Sequence, residues 1–428
     1  MLTSPDPDGD TQAWARGDTA LPHFVGGNRV RLLQGGDALF PRMHEAIAAA
    51  RTEIWLATYI FHPDSAGRAM ADALLAAAER GVRVYVVVDG FGSMGVLPLL
   101  RVWLRHERLK FEVFRPLDRW YAWLQPGQLR RLHQKMCVVD REIAFVGGIN
   151  VIDDRNDIHH GAFATPRLDF AVELHGPLAL QVHGTTRAMW ARANLGHGWR
   201  EEVRSLARSA APVEQTLRLL RRLRSTPGAT DAGTSLQPVL AAFVVRDNLR
   251  QRRAIERSYV EAIRGASTRV DIAVPYFYPG RAFRRTLRDA ARRGVRVRLL
   301  LQGKIDYRLA ALAAQALYDE LSAHGVRIFE YTPTFLHAKV AVVDDDWATV
   351  GSSNIDPLSL LLNLEANIAV QDADFARDLG AQFDAAIAQS TEVSTLPARQ
   401  GWQRWLERGF VAWLATVYLR LAGITGRY

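Results

Sequence analysis

Two short motifs repeat the same residue types at the same spacing. The first is LHQKMCVVDREIAFVGGIN over residues 132–150, and the second is LHAKVAVVDDDWATVGSSN over residues 336–354. In each, a lysine follows the histidine by two residues, an aspartate by seven, a glycine by fourteen and an asparagine by seventeen. One H-x-K triplet would carry little information, but two matches at five positions indicate a single functional site built from both motifs.

The residue types suit displacement at a phosphodiester. One imidazole, His133 or His337, would attack phosphorus as the nucleophile, while the other would protonate the leaving alkoxide and then deprotonate the incoming one. Lys135 and Lys339 would offset the charge that grows on the equatorial oxygens. Because the lysines take the role of a metal, and the sequence has neither a magnesium-type acidic cluster nor a zinc pattern, no cofactor or metal is expected.

The other motif positions follow from strand geometry. A strand alternates faces, so the histidine and lysine point the same way, whereas Gln134 or Ala338 between them points to the other face and is free to vary. The motif glycine lets the backbone approach the ligand, and the motif asparagine donates to a phosphate oxygen. Asp140 and Asp344 are counted with the catalytic residues, and a purely structural role in the following turn is the alternative.

Each histidine also needs a carboxylate on its second ring nitrogen, which fixes its tautomer and orientation. Downstream of the second motif, Glu365 lies in the strand-like run LLNLEANIAV, and Asp169 in RLDFAVELHGP holds the analogous place after the first. Each acid is therefore expected to serve the histidine of its own half. The phosphate-binding and orienting residues are then Gly147, Asn150, Asp169, Gly351, Asn354 and Glu365.

The motifs belong to longer repeats that predict the fold. The run AAERGVRVYVVVDG over 77–90 matches AARRGVRVRLLLQG over 290–303, and each describes a helix end, a glycine stop and a buried strand. A strand-like run precedes each, and a short strand follows before the motif. We therefore predict an α/β protein of two units with the same order, related by a pseudo-twofold axis, with one shared active site at their interface.

The basic composition of the chain predicts a polyanionic partner. The chain has 428 residues, a net charge of +9 and a pI near 9.9, which fits either nucleic acid or an anionic lipid surface. No run of about eighteen apolar residues occurs, so a helical membrane span is not expected. Cys137 is the one cysteine, which favours the cytoplasm, and its counterpart Ala341 indicates a buried thiol without a catalytic role.

Several segments lie outside the two units. The expected parts are a disordered head (1–27), a first lobe (28–205), a linker with a basic helix (206–236), a second lobe (237–392) and an amphipathic tail (393–428). In the tail, tryptophans and arginines surround a short apolar stretch, which indicates a helix at the membrane interface or, alternatively, one docked on the protein. The aromatic insert at 117–130 suits a membrane wedge or a small local core.

The doubled H-x-K-x4-D-x6-G-x2-N pattern resembles the phospholipase D superfamily over residues 28–389. The runs GNRVRLLQGGDALFPRM (27–43), PYFYPG (275–280) and GSSNIDPLSLLLNLEANIAV (351–370) are similar to the bacterial cardiolipin synthase B type. One departure is that the first motif ends in GGIN and the second in GSSN, so the two phosphate cradles differ.

The resemblance implies two α/β-α lobes and a metal-independent phosphohistidine mechanism. It implies a phosphatidyltransferase that makes cardiolipin from phosphatidylglycerol, bound peripherally on the cytoplasmic side of the inner membrane, with no nucleic-acid partner. It also implies that His133 is the nucleophile and His337 the acid/base, within a catalytic set of His133, Lys135, Asp140, His337, Lys339 and Asp344. A hydrolytic phospholipase D and a nucleic-acid phosphodiesterase are the alternatives.

Overall fold

The structure is a computed structural model that describes most of both predicted lobes. It covers residues 22–116, 130–157, 161–207, 238–247, 251–303, 317–356, 359 and 362–393. The aromatic residues of the 117–130 insert, the basic helix of the linker and the amphipathic tail from residue 394 lie outside the described residues. The first strand begins at Val25, inside the segment expected to be a disordered head.

Among the described residues, the first half contains ten strands and four α-helices. The strands are β1 (Val25–Gln34), β2 (Glu53–Thr58), β3 (Arg83–Asp89), β4 (Leu109–Phe114), β5 (Arg131–Leu132), β6 (Lys135–Val139), β7 (Ile143–Gly147), β8 (Asn156–Asp157), β9 (Gly161–Ala162) and β10 (Phe170–His175). The helices are α1 (Gly35–Ala49), α2 (Ser65–Glu79), α3 (Leu97–Trp103) and α4 (Pro177–Ala207).

The described part of the second half repeats this order. Its strands are β11 (Val239–Arg246), β12 (Arg269–Ala273), β13 (Arg296–Gln302), β14 (Arg327–Tyr331), β15 (Val340–Val343), β16 (Trp347–Gly351), β17 (Asn363–Gln371) and β18 (Ser390–Glu392). Its helices are α5 (Ala254–Gly265), α6 (Arg281–Arg292) and α7 (Ala373–Ala388).

Local sequence explains where these elements stop. Gly81 and Gly294, the predicted helix stops, adopt φ values of 99° and 90°, a left-handed conformation that favours glycine. The strands that follow, β3 and β13, are buried along nearly their whole length, as a parallel strand covered by helices should be. The predicted pairing of helix, glycine and buried strand is confirmed in both halves.

Apart from β8 and β9, which form a separate two-stranded sheet, the described strands join into one sheet whose order shows the pseudo-symmetry. From β1 outward the order is β10, β7, β6, β2, β3 and β4, and from β11 outward it is β17, β16, β15, β12, β13 and β14. β1 and β11 pair with each other at the centre. The predicted α/β fold of two equivalent units is therefore confirmed, and the two units share a sheet.

Strand directions bring both motifs to the same end of the molecule. β5, which leads into the first motif, runs parallel to β17 of the other half. A parallel bridge likewise joins Leu336, just before the second motif, to Leu168. Consequently β6, β10, β15 and β17 all begin at one end, and the antiparallel neighbours β2 and β12 finish there. The parallel partners β3 and β13 finish at that end too.

A shared hydrophobic core fixes the two halves against each other. One buried cluster contains Leu132 and Val172 from the first half together with Leu336, Val350 and Ile368 from the second. Two further clusters pack the helices of each half onto its own strands. Since the shared cluster lies beneath both motifs, the apolar core holds them in fixed relative positions.

Candidate active site

Both motif histidines lie just ahead of a strand, on segments held by the opposite half. β6 begins only at Lys135 and β15 only at Val340, so the expected H-x-K strand starts later than the motif. The His133 amide donates to the Leu364 carbonyl at 3.0 Å, and the His337 amide donates to the Leu168 carbonyl at 2.9 Å. The backbone of each motif is thus anchored across the interface.

The carboxylate partners also cross between the halves. His133 Nδ1 lies 3.0 Å from Glu365 Oε2, and His337 Nδ1 lies 2.6 Å from Asp169 Oδ2. The expectation that each acid serves its own half is wrong, because β10 and β17 each begin beside the motif of the other half. Since Nδ1 is engaged in both rings, Nε2 is the nitrogen that each can offer to a phosphorus or a proton.

The two carboxylates are held in different ways. The Ser352 hydroxyl and His133 Nδ1 both contact Oε2 of Glu365. Asp169 accepts the amide of Phe170 on Oδ1, at 2.8 Å, and contacts His337 through Oδ2. Gly148 occupies the position equivalent to Ser352, and a Cβ there would lie 2.2 Å from Asp169 Oδ1. The GGIN and GSSN endings therefore differ because each matches its own carboxylate.

The two carboxylates that contact the histidines also differ in pKa. Burial disfavours the charge of Glu365, but His133 and Arg246 outweigh it and lower the pKa of Glu365 to about 2. Burial raises the pKa of Asp169 to about 6, with Lys339 opposing the rise. Both acids are ionised at neutral pH, Glu365 by the wider margin.

The motif lysines form a buried cationic layer beside the histidines. The Lys135 ammonium donates to the His133 carbonyl at 2.7 Å, and the Lys339 ammonium donates to the His337 carbonyl. Burial lowers the pKa of Lys135 to about 7 and that of Lys339 to about 8, against the attraction of Glu365 and Asp169. A bound phosphate would favour their charged forms.

The two motifs act on each other electrostatically. Burial lowers the pKa of His337 well below its ordinary value, and Lys339, Arg167, Lys135 and His133 lower it further. Burial is also the main cause that lowers the pKa of His133, with Lys339 of the other motif contributing. The cationic groups of each motif thus disfavour the charged form of the other motif's histidine.

Asp140 and Asp344 lie away from this centre, which corrects the catalytic role expected for them. They follow β6 and β15 at the end opposite the histidines, with φ values of 52° and 50°. Asp140 Oδ1 accepts the amides of Thr52 and Glu53 at 2.8 and 2.9 Å. Asp344 Oδ1 makes the equivalent contacts around Thr268, at 2.8 Å from its amide. Both carboxylates fasten the start of a neighbouring strand, so their role is structural.

The motif glycines are required by strand packing. Gly147 and Gly351 lie in β7 and β16, and a Cβ would come within 2.5 Å of Ala171 and 2.2 Å of the Asn367 side chain, respectively. Both sites face a neighbouring strand, so the expectation that they let the backbone approach a ligand is wrong.

The motif asparagines differ in their surroundings. Asn150 is buried, and its side-chain oxygen accepts the Ile60 amide at 3.1 Å. The side-chain oxygen of Asn354 is buried without a hydrogen-bond partner among the described residues. Donation to a phosphate oxygen stays a prediction for both.

Several site residues were missed by the sequence reasoning. Gln134 is fully buried and donates to the Glu365 carbonyl at 3.1 Å, so it is not free to vary. Asp89 accepts the Leu132 amide at 2.8 Å, and Gln302 accepts the Leu336 amide at 3.3 Å. The available signal for this pair was a polar residue at the end of each apolar run, VVVDG and LLLQG.

Tyr59 is a further neighbour of the first motif. The centroid of its ring lies 5.0 Å from that of His133, and the Lys135 ammonium lies 5.4 Å from it. The equivalent position in the second half is Pro275, so the second half has no tyrosine at this position. Cys137 packs in the first-half core, and burial raises the pKa of its thiol to about 12.

Two kinds of feature are absent from the described residues. No group of three or more histidine, cysteine, aspartate or glutamate side chains there could hold a metal ion. Among the helices that the structure describes, none combines the length and the apolar character needed to span a bilayer.

Comparisons with known proteins agree with this geometry. The family model described as cardiolipin synthase, PLD-like domain, matches residues 43–160 and 259–387. Cardiolipin synthase B of Escherichia coli K12 is 35% identical over 88% of this chain and 85% of its own length. Cardiolipin synthase A of Pseudomonas putida is 31% identical over 87% and 71%, respectively. The fold is similar to that of phosphatidylserine synthase from Haemophilus influenzae, with a TM-score of 0.65 and 12% identity over 96% of this chain and 99% of that one.

Proposed function

Because the chain belongs to the cardiolipin synthase family of phospholipase D-like proteins, we propose that it is a phosphatidyltransferase that makes cardiolipin from phosphatidylglycerol. The observation that carries the proposal is the pair of crossed histidine–carboxylate contacts, with a buried lysine beside each histidine. This arrangement supplies one nucleophile, one proton carrier and two cations to a single phosphodiester.

In the first half-reaction, His133 Nε2 attacks the phosphorus of phosphatidylglycerol. The new N–P bond forms as the P–O bond to the glycerol headgroup breaks, and the imidazolium of His337 donates its Nε2 proton to that oxygen. Glycerol leaves, and a phosphatidyl group remains on His133. Lys135 and Lys339 offset the negative charge on the equatorial oxygens.

The second half-reaction reverses these roles. The primary hydroxyl of a second phosphatidylglycerol attacks phosphorus while neutral His337 takes its proton. The N–P bond breaks, cardiolipin forms, and His133 regains its lone pair. The sequence resemblance supports His133 as the nucleophile, and ionised Glu365 favours it further, since a carboxylate at Nδ1 stabilises the cationic phosphohistidine.

Product analysis tests the transferase against its two alternatives. We expect purified protein, incubated with phosphatidylglycerol vesicles in EDTA, to form cardiolipin and glycerol in equal amounts. Phosphatidic acid as the sole lipid product would indicate a hydrolase instead. DNA cleavage without lipid turnover would indicate a nucleic-acid phosphodiesterase. His133→Ala and His337→Ala should each abolish turnover.

We also propose that the protein acts peripherally on the cytoplasmic side of the inner membrane and has no nucleic-acid partner. The net charge of +9 supports attraction to anionic headgroups. The predicted amphipathic tail would add a second attachment. Deletion of residues 406–428 should move the protein from the membrane pellet to the supernatant, and unchanged sedimentation would contradict an anchoring tail.

The domain division is proposed on the same basis. The lobes are assigned to 28–205 and 237–392, since the family model matches once within each range. The backbone of α4 continues to Ala207, two residues past the proposed end of the first lobe. Limited proteolysis should cut first within 206–236, and cleavage within either lobe instead would contradict the division.

A further inference from the structure

We infer that the active site meets the bilayer through a rim of exposed apolar side chains around its mouth. The rim consists of Phe91 and Met94 from the first half and Tyr276 and Tyr278 from the second, which are 42%, 49%, 42% and 43% exposed. The inference rests on the proposed function, because a site that transfers phosphatidyl groups has to be presented to a lipid surface.

Exposed apolar side chains are concentrated in two segments of the described chain. Large hydrophobic residues are exposed within 91–102, where Leu99 and Val102 join the rim residues, and within 276–278. Leu240 is the remaining example among the described residues, and it is 47% exposed. Clustered apolar exposure of this kind marks a surface that another phase or partner covers.

Both segments lie at the end of the sheet where the motifs begin. Phe91 lies two residues after the end of β3 and Tyr276 three residues after the end of β12, and both strands finish at the active-site end. Leu240 lies near the start of β11, which pairs antiparallel with β17 and so begins at the opposite end. The rim residues of both halves therefore lie at the active-site end, while Leu240 lies at the other end.

Direct contacts fasten the rim to the catalytic segments. The buried carboxylate of Asp89 accepts the Phe91 amide on one oxygen and the Leu132 amide on the other, both at 2.8 Å. Leu132 immediately precedes His133. In the second half, the Tyr278 amide donates to the carbonyl of Ile355, the residue after Asn354, at 2.8 Å. Hydrogen bonds thus connect the rim to the residue before His133 and to the residue after Asn354.

Basic side chains accompany the rim in both halves, which points to an anionic bilayer. The guanidinium of Arg131 lies 5.4 Å from the centroid of the Phe91 ring. Arg101 and Arg105 are exposed on and just after α3, and Arg281 is exposed three residues beyond Tyr278. Aromatic and apolar side chains interleaved with arginines suit the headgroup region of a membrane with anionic lipids.

Labelling of single introduced cysteines measures whether the rim enters the bilayer, independently of any attachment through the amphipathic tail. Cys137 is buried, so a thiol introduced at Met94→Cys or Tyr278→Cys is the one that an environment-sensitive fluorophore reaches. On addition of phosphatidylglycerol vesicles to the full chain, we expect a blue shift at both positions and quenching by lipids brominated in their acyl chains. The matched control Leu240→Cys should show neither effect.

Vesicle affinity provides the second measurement. The Met94→Ser/Tyr278→Ser variant should bind these vesicles about tenfold or more weakly, because it lacks two apolar side chains that the bilayer would otherwise bury. Leu240→Ser, with a similar exposure, should bind like the wild type. Circular dichroism and thermal unfolding check that each variant is folded.

Three outcomes would overturn the rim. They are absence of vesicle binding by the wild type, binding without a shift at positions 94 and 278, and a shift that depends on protein concentration without vesicles. The last would identify an interface between copies of the chain. Insertion of both labels without any turnover of phosphatidylglycerol would leave the rim standing and contradict only the proposed function.

Discussion

Replacing Glu365 by glutamine isolates the charge of one histidine partner. In the wild type, Ser352 Oγ and His133 Nδ1 both contact the same oxygen, Oε2. The other oxygen, Oε1, is buried without a hydrogen-bond partner among the described residues. A glutamine whose carbonyl oxygen takes the Oε2 position keeps both hydrogen bonds, so Glu365→Gln removes the negative charge and leaves an NH2 group at the buried Oε1 position.

The expected loss follows from the pKa of Glu365. Its fall from an ordinary value of 4.5 to about 2, despite burial, corresponds to about 3 kcal/mol of net attraction to the surrounding cations. His133 is the largest contributor to that attraction, ahead of Arg246 and Lys135. If most of it stabilises the imidazolium as phosphorus is attacked, kcat falls about 100-fold while KM changes little.

Asp169→Asn supplies the matched comparison. Asp169 uses both oxygens, Oδ1 for the Phe170 amide and Oδ2 for His337. An amide has one acceptor oxygen, so this variant loses a hydrogen bond as well as the charge. We expect a larger loss of kcat, about 1,000-fold or more, by comparison with carboxylate-to-amide changes at other catalytic histidines.

The assay is the rate of cardiolipin formation from phosphatidylglycerol as a function of pH. Loss of the Glu365 charge lowers the pKa of His133 further. The acidic limb of the profile therefore moves to lower pH if His133 acts as the nucleophile, whereas the basic limb moves if it acts as the acid. Retention of more than a third of kcat by Glu365→Gln, or equal losses in the two variants, would refute the reasoning.

Three further predictions concern the remaining site residues. Asp140→Ala should lower the free energy of unfolding by about 2–3 kcal/mol, while the folded fraction keeps its kcat. Because the pKa of the Asp140 carboxyl is lowered in the folded state, the stability that it contributes should disappear as the pH falls through that pKa. Denaturant titrations at several pH values measure both effects. Gly148→Ala should reduce kcat at least tenfold, because the added Cβ would lie 2.2 Å from Asp169 Oδ1. In the control Gly265→Ala, the added Cβ would have no heavy atom within 4 Å, and kcat should be unchanged. In kcat/KM profiles, the free enzyme loses the charges of Lys135 and Lys339 as the pH rises through about 7 to 8, and activity should decline there in addition to the loss caused by deprotonation of the acid histidine. A Lys135→Arg variant that shows the same decline at the same pH would contradict this assignment.

Much of the fold was predictable because the sequence contains it twice. The runs ending in VVVDG and LLLQG, each preceded by a glycine stop, fixed the helix and strand boundaries around Gly81 and Gly294. The repeated motifs identified the histidines and lysines, since both residue types recur at the same spacing in the two halves. These features are local, and local patterns determine them.

The crossed contacts could not be predicted in this way. Which half supplies the carboxylate depends on how β10 and β17 dock against the opposite motif, and this is a tertiary property that spacing does not encode. The structural role of Asp140 was open for a similar reason, because its partners at Thr52 and Glu53 are distant in sequence. Gly147 was misjudged because a glycine needed for strand packing looks the same in sequence as one needed for ligand approach.

The claim that two histidines act on one phosphorus is tested most directly by the stoichiometry and position of the covalent intermediate. Wild-type protein would be mixed with phosphatidylglycerol, quenched within one turnover, digested, and analysed by mass spectrometry. The account predicts at most one phosphatidyl group per chain, on the peptide that contains His133, and its absence in His133→Ala. Two groups per chain, or rapid glycerol release with no adduct on either histidine, would contradict it.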